Sequence, residues 1–147
     1  MLKKSKKPVK NKIILDTSCL VAAILAEQGI SAKLFEKIVK REMYNFYTDE
    51  ILEELRGVLA REKFQLSKEK QEQFLNLVQE VSFLVQQYEL YMLTKCRDPK
   101  DDKFLSLANQ ISADFIITLD KDLLSLERIN KTEIITPAKF IEGTAER

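Results

Sequence analysis

The run Lys12-Ile13-Ile14-Leu15, followed at once by Asp16-Thr17-Ser18, constrains the fold more than any other stretch. Three consecutive branched apolar residues fit a strand covered on both faces, as in a parallel α/β sheet, better than a strand with one face in water. The run stops at an acid. In open α/β sheets the working crevice lies beyond the carboxyl ends of the strands, so an acid there is a site candidate; it is equally well placed to cap a following helix. The same grammar returns in Asp114-Phe115-Ile116-Ile117-Thr118-Leu119-Asp120, where Asp120 and the nearby Asp122 also suit turn chemistry.

Between and after these runs, helical and strand patterns alternate. Residues 19–26 predict a helix that is apolar nearly all round and stops near Gly29. Ser31 opens a second helix, with Leu34, Phe35, Ile38 and Val39 at helical spacing. Residues 43–48 predict a second strand. A third helix starts at Thr48-Asp49 and runs to Leu59, and an amphipathic helix over 67–85 carries Phe74, Leu77, Val78, Val81 and Leu84 on one face. Residues 88–93 predict a third strand. The turn 97–102 feeds a helix with Phe104, Leu105, Ala108 and Ile111 inward, 121–124 form a short helical turn, 133–137 a last strand and 138–141 a closing helix. This alternation predicts a three-layer α/β/α fold with a mostly parallel central sheet and right-handed crossovers.

No linker rich in Pro, Gly or Ser divides the 147 residues, of which 45% are hydrophobic, so the expectation is one domain over 11–147. It is preceded by a basic, flexible tail over 1–10. Residues 1–12 hold six lysines and no acid, leaving 18 basic against 23 acidic residues in the rest, a balance of −5. Such a tail can gather nucleic acid through phosphate contacts, or simply remain solvated. No apolar run is long enough to span a bilayer and no signal-peptide pattern is present, which predicts a cytoplasmic protein with no membrane partner. Cys19 and Cys96 read as ordinary buried thiols.

The chain has no histidine. That removes Ser-His-Asp and Cys-His nucleophiles, histidine acid–base catalysis and histidine-ligated metals. With glycine only at 29, 57 and 143, no phosphate-cradling glycine loop can be written. The chemistry must run on carboxylates.

Helical angles separate the acids from their neighbours. At about 100° per residue, Glu53 lies roughly 160° from the apolar face set by Ile51, Leu52, Leu55, Val58 and Leu59, and Glu54 only about 100°. Glu53 should point into water, while Glu54 can reach a crevice or remain a solvated flank. Asp101, four residues before Leu105 and seven before Ala108, falls on the inner face of its helix and Asp102 does not. Asp101 can also act as an ordinary helix cap. Asp16, Glu54, Asp101 and Asp120 thus converge on one rim. Two carboxylates about 5 Å apart repel by roughly 3 kcal/mol at an effective dielectric of about 20, so something positive should sit among them. Lys100, Lys103 and Lys121 could help, but oxygen-only ligands with open positions suit Mg²⁺ or Mn²⁺, which hold phosphates and acidify water.

Four stretches carry a resemblance to a known family: 13–18, 50–55, 98–108 and 113–120. In order and spacing they resemble the PIN-domain family over about residues 11–142, and within it the VapC-like toxins of toxin–antitoxin pairs. The resemblance implies a metal-dependent ribonuclease acting on single-stranded or structured RNA and leaving 5′-phosphate and 3′-hydroxyl ends. It implies Asp16, Glu54, Asp101 and Asp120 as catalytic acids, with Asp16, Asp101 and Asp120 holding one or two Mg²⁺ or Mn²⁺ ions and Glu54 completing the site or orienting water. Thr118 matches the hydroxyl that commonly precedes the last acid, and Asp122 an auxiliary acid. A cognate antitoxin and a homodimer follow as further expectations. Thr17 and Ser18 could donate to the carboxylates or a phosphate, or serve only as helix-start residues.

An aspartyl-phosphate phosphatase would need a second acid two residues after the first, where Ser18 stands. The serious alternative is a non-catalytic PIN-like module that binds RNA or a protein partner, with the helix over 67–85 as one docking surface.

Overall fold

The computed structural model describes residues 10–92 and 99–145. The basic tail apart from Lys10, together with Leu93, Cys96, Arg97 and Asp98, lies outside the described residues. Six strands form one sheet: β1 (Lys12–Leu15), β2 (Tyr44–Tyr47), β3 (Phe83–Leu84), β4 (Phe115–Ile117), β5 (Arg128–Ile129) and β6 (Thr132–Ile135). Their spatial order is β3-β2-β1-β4-β6-β5, and all pairings are parallel except β5 with β6. The helices α1 (Thr17–Leu25), α2 (Ile30–Val39), α3 (Asp49–Leu59), α4 (Lys68–Val81), α5 (Asp102–Ile111), α6 (Lys121–Leu124) and α7 (Pro137–Ala145) flank the sheet. This is the predicted α/β class.

The centre of the sheet is apolar because its two middle strands are. Ile14 is in register with Ile116 and Leu15 with Ile117, and Ile13, Ile14, Ile116 and Ile117 are fully buried. Each such side chain contributes about 1.5–3 kcal/mol on leaving water. Helix starts follow their capping residues: the side chains of Asp16, Thr48 and Ser67 accept the N–H groups of Cys19, Ile51 and Lys70. No single described helix is long and apolar enough to cross a membrane.

Two expectations about the third strand are corrected. The helix predicted over 67–85 stops at Val81. Ser82 is extended, and Phe83–Leu84 form the edge strand, with Phe83 stacked on Phe46 at 5.4 Å between ring centres. An apolar face continued past the helix because Leu84 happens to keep helical spacing. The strand predicted over 88–93 is corrected within its described part, 88–92, which holds a 3₁₀ turn over Glu89–Tyr91 with Leu90 exposed. Sequence reading also missed β5, which pairs with β6 across Asn130 and Lys131; the left-handed φ of Asn130, 51°, closes that turn.

The order of the strands fixes where a ligand could bind. From β1 the chain moves outward to β2 and β3, then returns past β1 to lay down β4 on its other side. The direction of winding therefore reverses between β1 and β4, and the crevice beyond the carboxyl ends of two such strands is where open α/β sheets place their sites.

Candidate active site

Asp16 follows β1 and Thr118 follows β4, side by side at this switch point. Asp16 is buried, and both oxygens of its carboxylate accept hydrogen bonds. Ser18 Oγ donates to Oδ1 at 2.6 Å, the N–H of Cys19 donates to the same oxygen at 3.2 Å, and the Thr118 hydroxyl donates to Oδ2. Burial pushes this carboxyl above its ordinary value, against the opposing pull of those hydrogen bonds. Asp16 therefore caps α1, and it does so at the switch point, where a site acid is expected.

The hydrogen bonds extend into the following turn. Thr118 Oγ1 accepts the N–H of Asp120 at 2.9 Å, and Ser18 Oγ accepts the N–H of Leu119 at 3.2 Å. Asp120 then caps α6, its Oδ1 accepting the N–H of Asp122 at 2.8 Å. These contacts hold Asp120 and Asp122 in one turn. Across from them, the 3₁₀ turn Pro99–Asp101 ends in Asp101, which is buried while Asp102 is only partly so. The side chain of Asp101 makes no capping hydrogen bond to α5, although its position at the helix start would allow one.

Asp101, Asp120 and Asp122 each offer a carboxylate oxygen within 4.8 Å of the other two. At that separation each pair repels by about 3 kcal/mol at an effective dielectric of 20. Close hard oxygens without nitrogen or sulfur are a donor set for Mg²⁺ or Mn²⁺, and the residues fit such an ion. Asp16 and Glu54 stand outside this threesome, and Asp122, an auxiliary acid in the sequence reading, stands within it.

Glu54 lies on the flank of α3 that the helical angles predict, partly buried, while Glu53 is exposed and pairs with Arg56 at 3.5 Å. Oε2 of Glu54 accepts the hydroxyl of Thr17, and Oε1 lies 3.0 Å from Nζ of Lys103. Thr17 and Ser18 therefore donate to the carboxylates of Glu54 and Asp16 in addition to opening α1. Of the three lysines named from sequence, Lys103 is buried, 9% exposed, and its ammonium also donates to the carbonyl of Lys100.

Two further residues complete the surroundings. Asn45, 1% exposed, accepts the N–H of Leu15 at 3.0 Å and donates to Ser82 Oγ at 3.0 Å, so it ties the residue before Asp16 to the edge of the sheet. Sequence reading passed over it; an amide alone in the aromatic run Tyr44-Asn45-Phe46-Tyr47 was the available signal. Cys19 is buried as expected, and burial together with the neighbouring Asp16 pushes its thiol far up, which removes it as a nucleophile.

A mostly parallel sheet with an oxygen-only acid cluster at its switch point defines the class, an α/β domain with a candidate cation site. The sequence pattern of the PIN domain matches residues 12–122, an interval that contains every acid described above, and the chain belongs to the PIN domain family, whose members are typically nucleases. An uncharacterized protein of Methanocaldococcus jannaschii is 28% identical over 145 residues, spanning 91% of this chain and 92% of its own length. The crystal structure of PAE2754 from Pyrobaculum aerophilum aligns with a TM-score of 0.62 at 13% identity, over 95% of this chain and 100% of that one. At that identity the likeness concerns the fold.

Proposed function

We propose that this protein is a divalent-metal-dependent ribonuclease that hydrolyses RNA phosphodiester bonds. Asp101, Asp120 and Asp122 hold Mg²⁺ or Mn²⁺, and the buried Asp16 is tied to the turn of Asp120 through Thr118. The observation that carries the reading is the approach of three carboxylates from two separate elements to within 4.8 Å at the switch point of the sheet. A divalent ion bound there supplies charge neutralisation at the phosphodiester and acidifies a water.

The protein's own groups supply the rest. Thr118 and Ser18 lock Asp16 and the turn 118–120 together, so the acids are in place before substrate arrives. Without histidine in the chain, no imidazole competes for the role of base.

Membership in the PIN family and the resemblance to VapC-like proteins support a role as the toxin of a toxin–antitoxin pair, acting in the cytoplasm as a homodimer and held in check by a cognate antitoxin. The test is Mg²⁺ or Mn²⁺ titration by calorimetry on wild type, Asp120→Asn and Asp16→Asn, with RNA cleavage measured on the same ribonuclease-free samples. Metal binding and cleavage, leaving 5′-phosphate ends, should be lost together in Asp120→Asn. Metal-independent cleavage would overturn the mechanism. A folded wild type that binds RNA but neither metal nor cuts would make this a binding module instead.

A further inference from the structure

A groove lies beside the turn that carries Asp120. Its walls are apolar, made by Ala22, Ala26, Ile30, Leu119, Pro137 and Ala138, and its volume of about 460 Å³ is within the range of small-molecule sites. None of its lining residues is charged. Ile30 and Leu119 are large apolar side chains left about half exposed. Leu119 joins the groove to the site: its neighbour Asp120 belongs to the acid cluster, and successive Cα atoms lie about 3.8 Å apart. The N–H of Thr118 donates to the carbonyl of Ile135 at 2.9 Å, which sets the start of α7 beside the same turn.

The polar groups on these walls point to a ligand that is not purely apolar. Ser31 lines the groove and is only 8% exposed, and its hydroxyl has no hydrogen-bond partner among the described residues. Buried polar groups are normally paired, so this hydroxyl is a polar contact offered to whatever enters the groove. Gly29 gives α2 no side-chain cap, which turns the N–H groups of its first turn toward the same space. A phosphate would find no cation on these walls. An apolar side chain from a protein partner would seal the Ser31 hydroxyl in without a partner, which is unfavourable. A nucleobase meets both demands, with flat apolar faces and ring edges that carry acceptors and donors.

We propose that the groove between α1, α2 and the start of α7 is a subsite for one unstacked base of the RNA strand, beside the phosphodiester that the acid cluster engages. This rests on the ribonuclease reading above. Ser31 and the first-turn N–H groups of α2 contact the edge of the base, while Ala22, Ala26 and Leu119 cover its faces. A base seated there has left its stack and its pair, so the strand is single at that nucleotide. The groove thereby adds a requirement for a base, which a site that engages only phosphate does not have.

The probes are the four 5′-monophosphates of the RNA nucleosides, with ribose 5-phosphate as the same phosphate without a base. Each is titrated with Mg²⁺ into the full chain as wild type, Ser31→Ala and Ala26→Leu, and followed by amide and methyl NMR shifts. Ala26 is exposed at the end of α1, so a leucine there fills the groove and leaves the core alone. At least one nucleotide should shift the signals of Ile30, Ser31 and Ala138 and bind about tenfold more tightly than ribose 5-phosphate, a gain equal to one or two hydrogen bonds and the burial of a ring. Ser31→Ala should weaken that nucleotide by about fivefold. Ala26→Leu should bring it down to the level of ribose 5-phosphate.

Nucleotides that bind no more tightly than ribose 5-phosphate, or base-dependent shifts that avoid the groove or survive Ala26→Leu, overturn this inference and leave the metal-site reading standing; the groove is then a face for a protein segment. Base-dependent shifts in the groove that are the same with Mg²⁺ and with chelator overturn the metal-site reading and leave the base subsite standing. If Ala26→Leu does not fold, Ser31→Ala, which removes a single oxygen, decides: undiminished nucleotide affinity in that variant overturns the inference.

Discussion

Thr118 and Asp16, 102 residues apart in the chain, share a hydrogen bond in which the threonine hydroxyl donates to Oδ2 of the buried acid while its oxygen accepts the N–H of Asp120. One hydroxyl thereby fastens the acid after β1 to the acid after β4. Thr118→Val keeps the shape and removes both contacts. It should cost about 1–3 kcal/mol, since a buried acceptor and an N–H lose their partner, and urea unfolding would measure this. The same variant should weaken divalent-ion binding, because the turn carrying Asp120 and Asp122 is no longer anchored.

Metal-free stability should depend on pH through Asp16. Burial raises its carboxyl above the ordinary value of 3.8. Below that value the acid is protonated folded and unfolded, and its contribution is fully present. As pH rises through the elevated folded value, the native state must ionise a buried group and the contribution is lost. With chelator present, the melting temperature should therefore fall from acid toward neutral pH, and more steeply in wild type than in Asp16→Asn. Equal slopes in the two proteins would remove Asp16 as the source.

Addition of a divalent ion should reverse that loss. At 100 times its dissociation constant a ligand of the folded state adds about 2.7 kcal/mol, which for a chain of this size raises the melting temperature by about 5–10 °C. Thermal melts with Mn²⁺ and with chelator should show this shift in wild type and little of it in Asp101→Asn or Asp120→Asn. A shift undiminished in both variants would place the ion elsewhere.

Asn45 offers a test of how the sheet supports the site. Asn45→Ala leaves the buried N–H of Leu15 without its acceptor, a loss of about 1–3 kcal/mol. Because Leu15 precedes Asp16, amide exchange of Leu15 should quicken in the variant ahead of the centre of β4. Unchanged exchange at Leu15 would show that the amide is dispensable.

Much of the fold was legible because its signals are local. The apolar runs at 13–15 and 115–117 needed no partner to be recognised as doubly covered strands, and period alone told Glu54 from Glu53 and Asp101 from Asp102. The misreadings came where local signal and packing part. Leu84 keeps helical spacing after α4, yet with Phe83 it forms a strand, because β2 offers an aromatic edge for Phe83 to stack on. The two residues of β5 are too few to show a period, and only their pairing with β6 makes them a strand.

The sequence by itself determined the class of sheet, the supply of acids at strand ends and the exclusion of imidazole chemistry, since these depend on residue type and short-range period. Only the tertiary structure decided how the acids divide their work. Asp122 joins Asp101 and Asp120, Asp16 is engaged by hydroxyls and a backbone N–H, and Glu54 faces a buried lysine. Those pairings link side chains as many as 102 positions apart. No chain-local pattern encodes them, because they depend on which strand ends the sheet order brings together and on which polar groups burial forces to find partners.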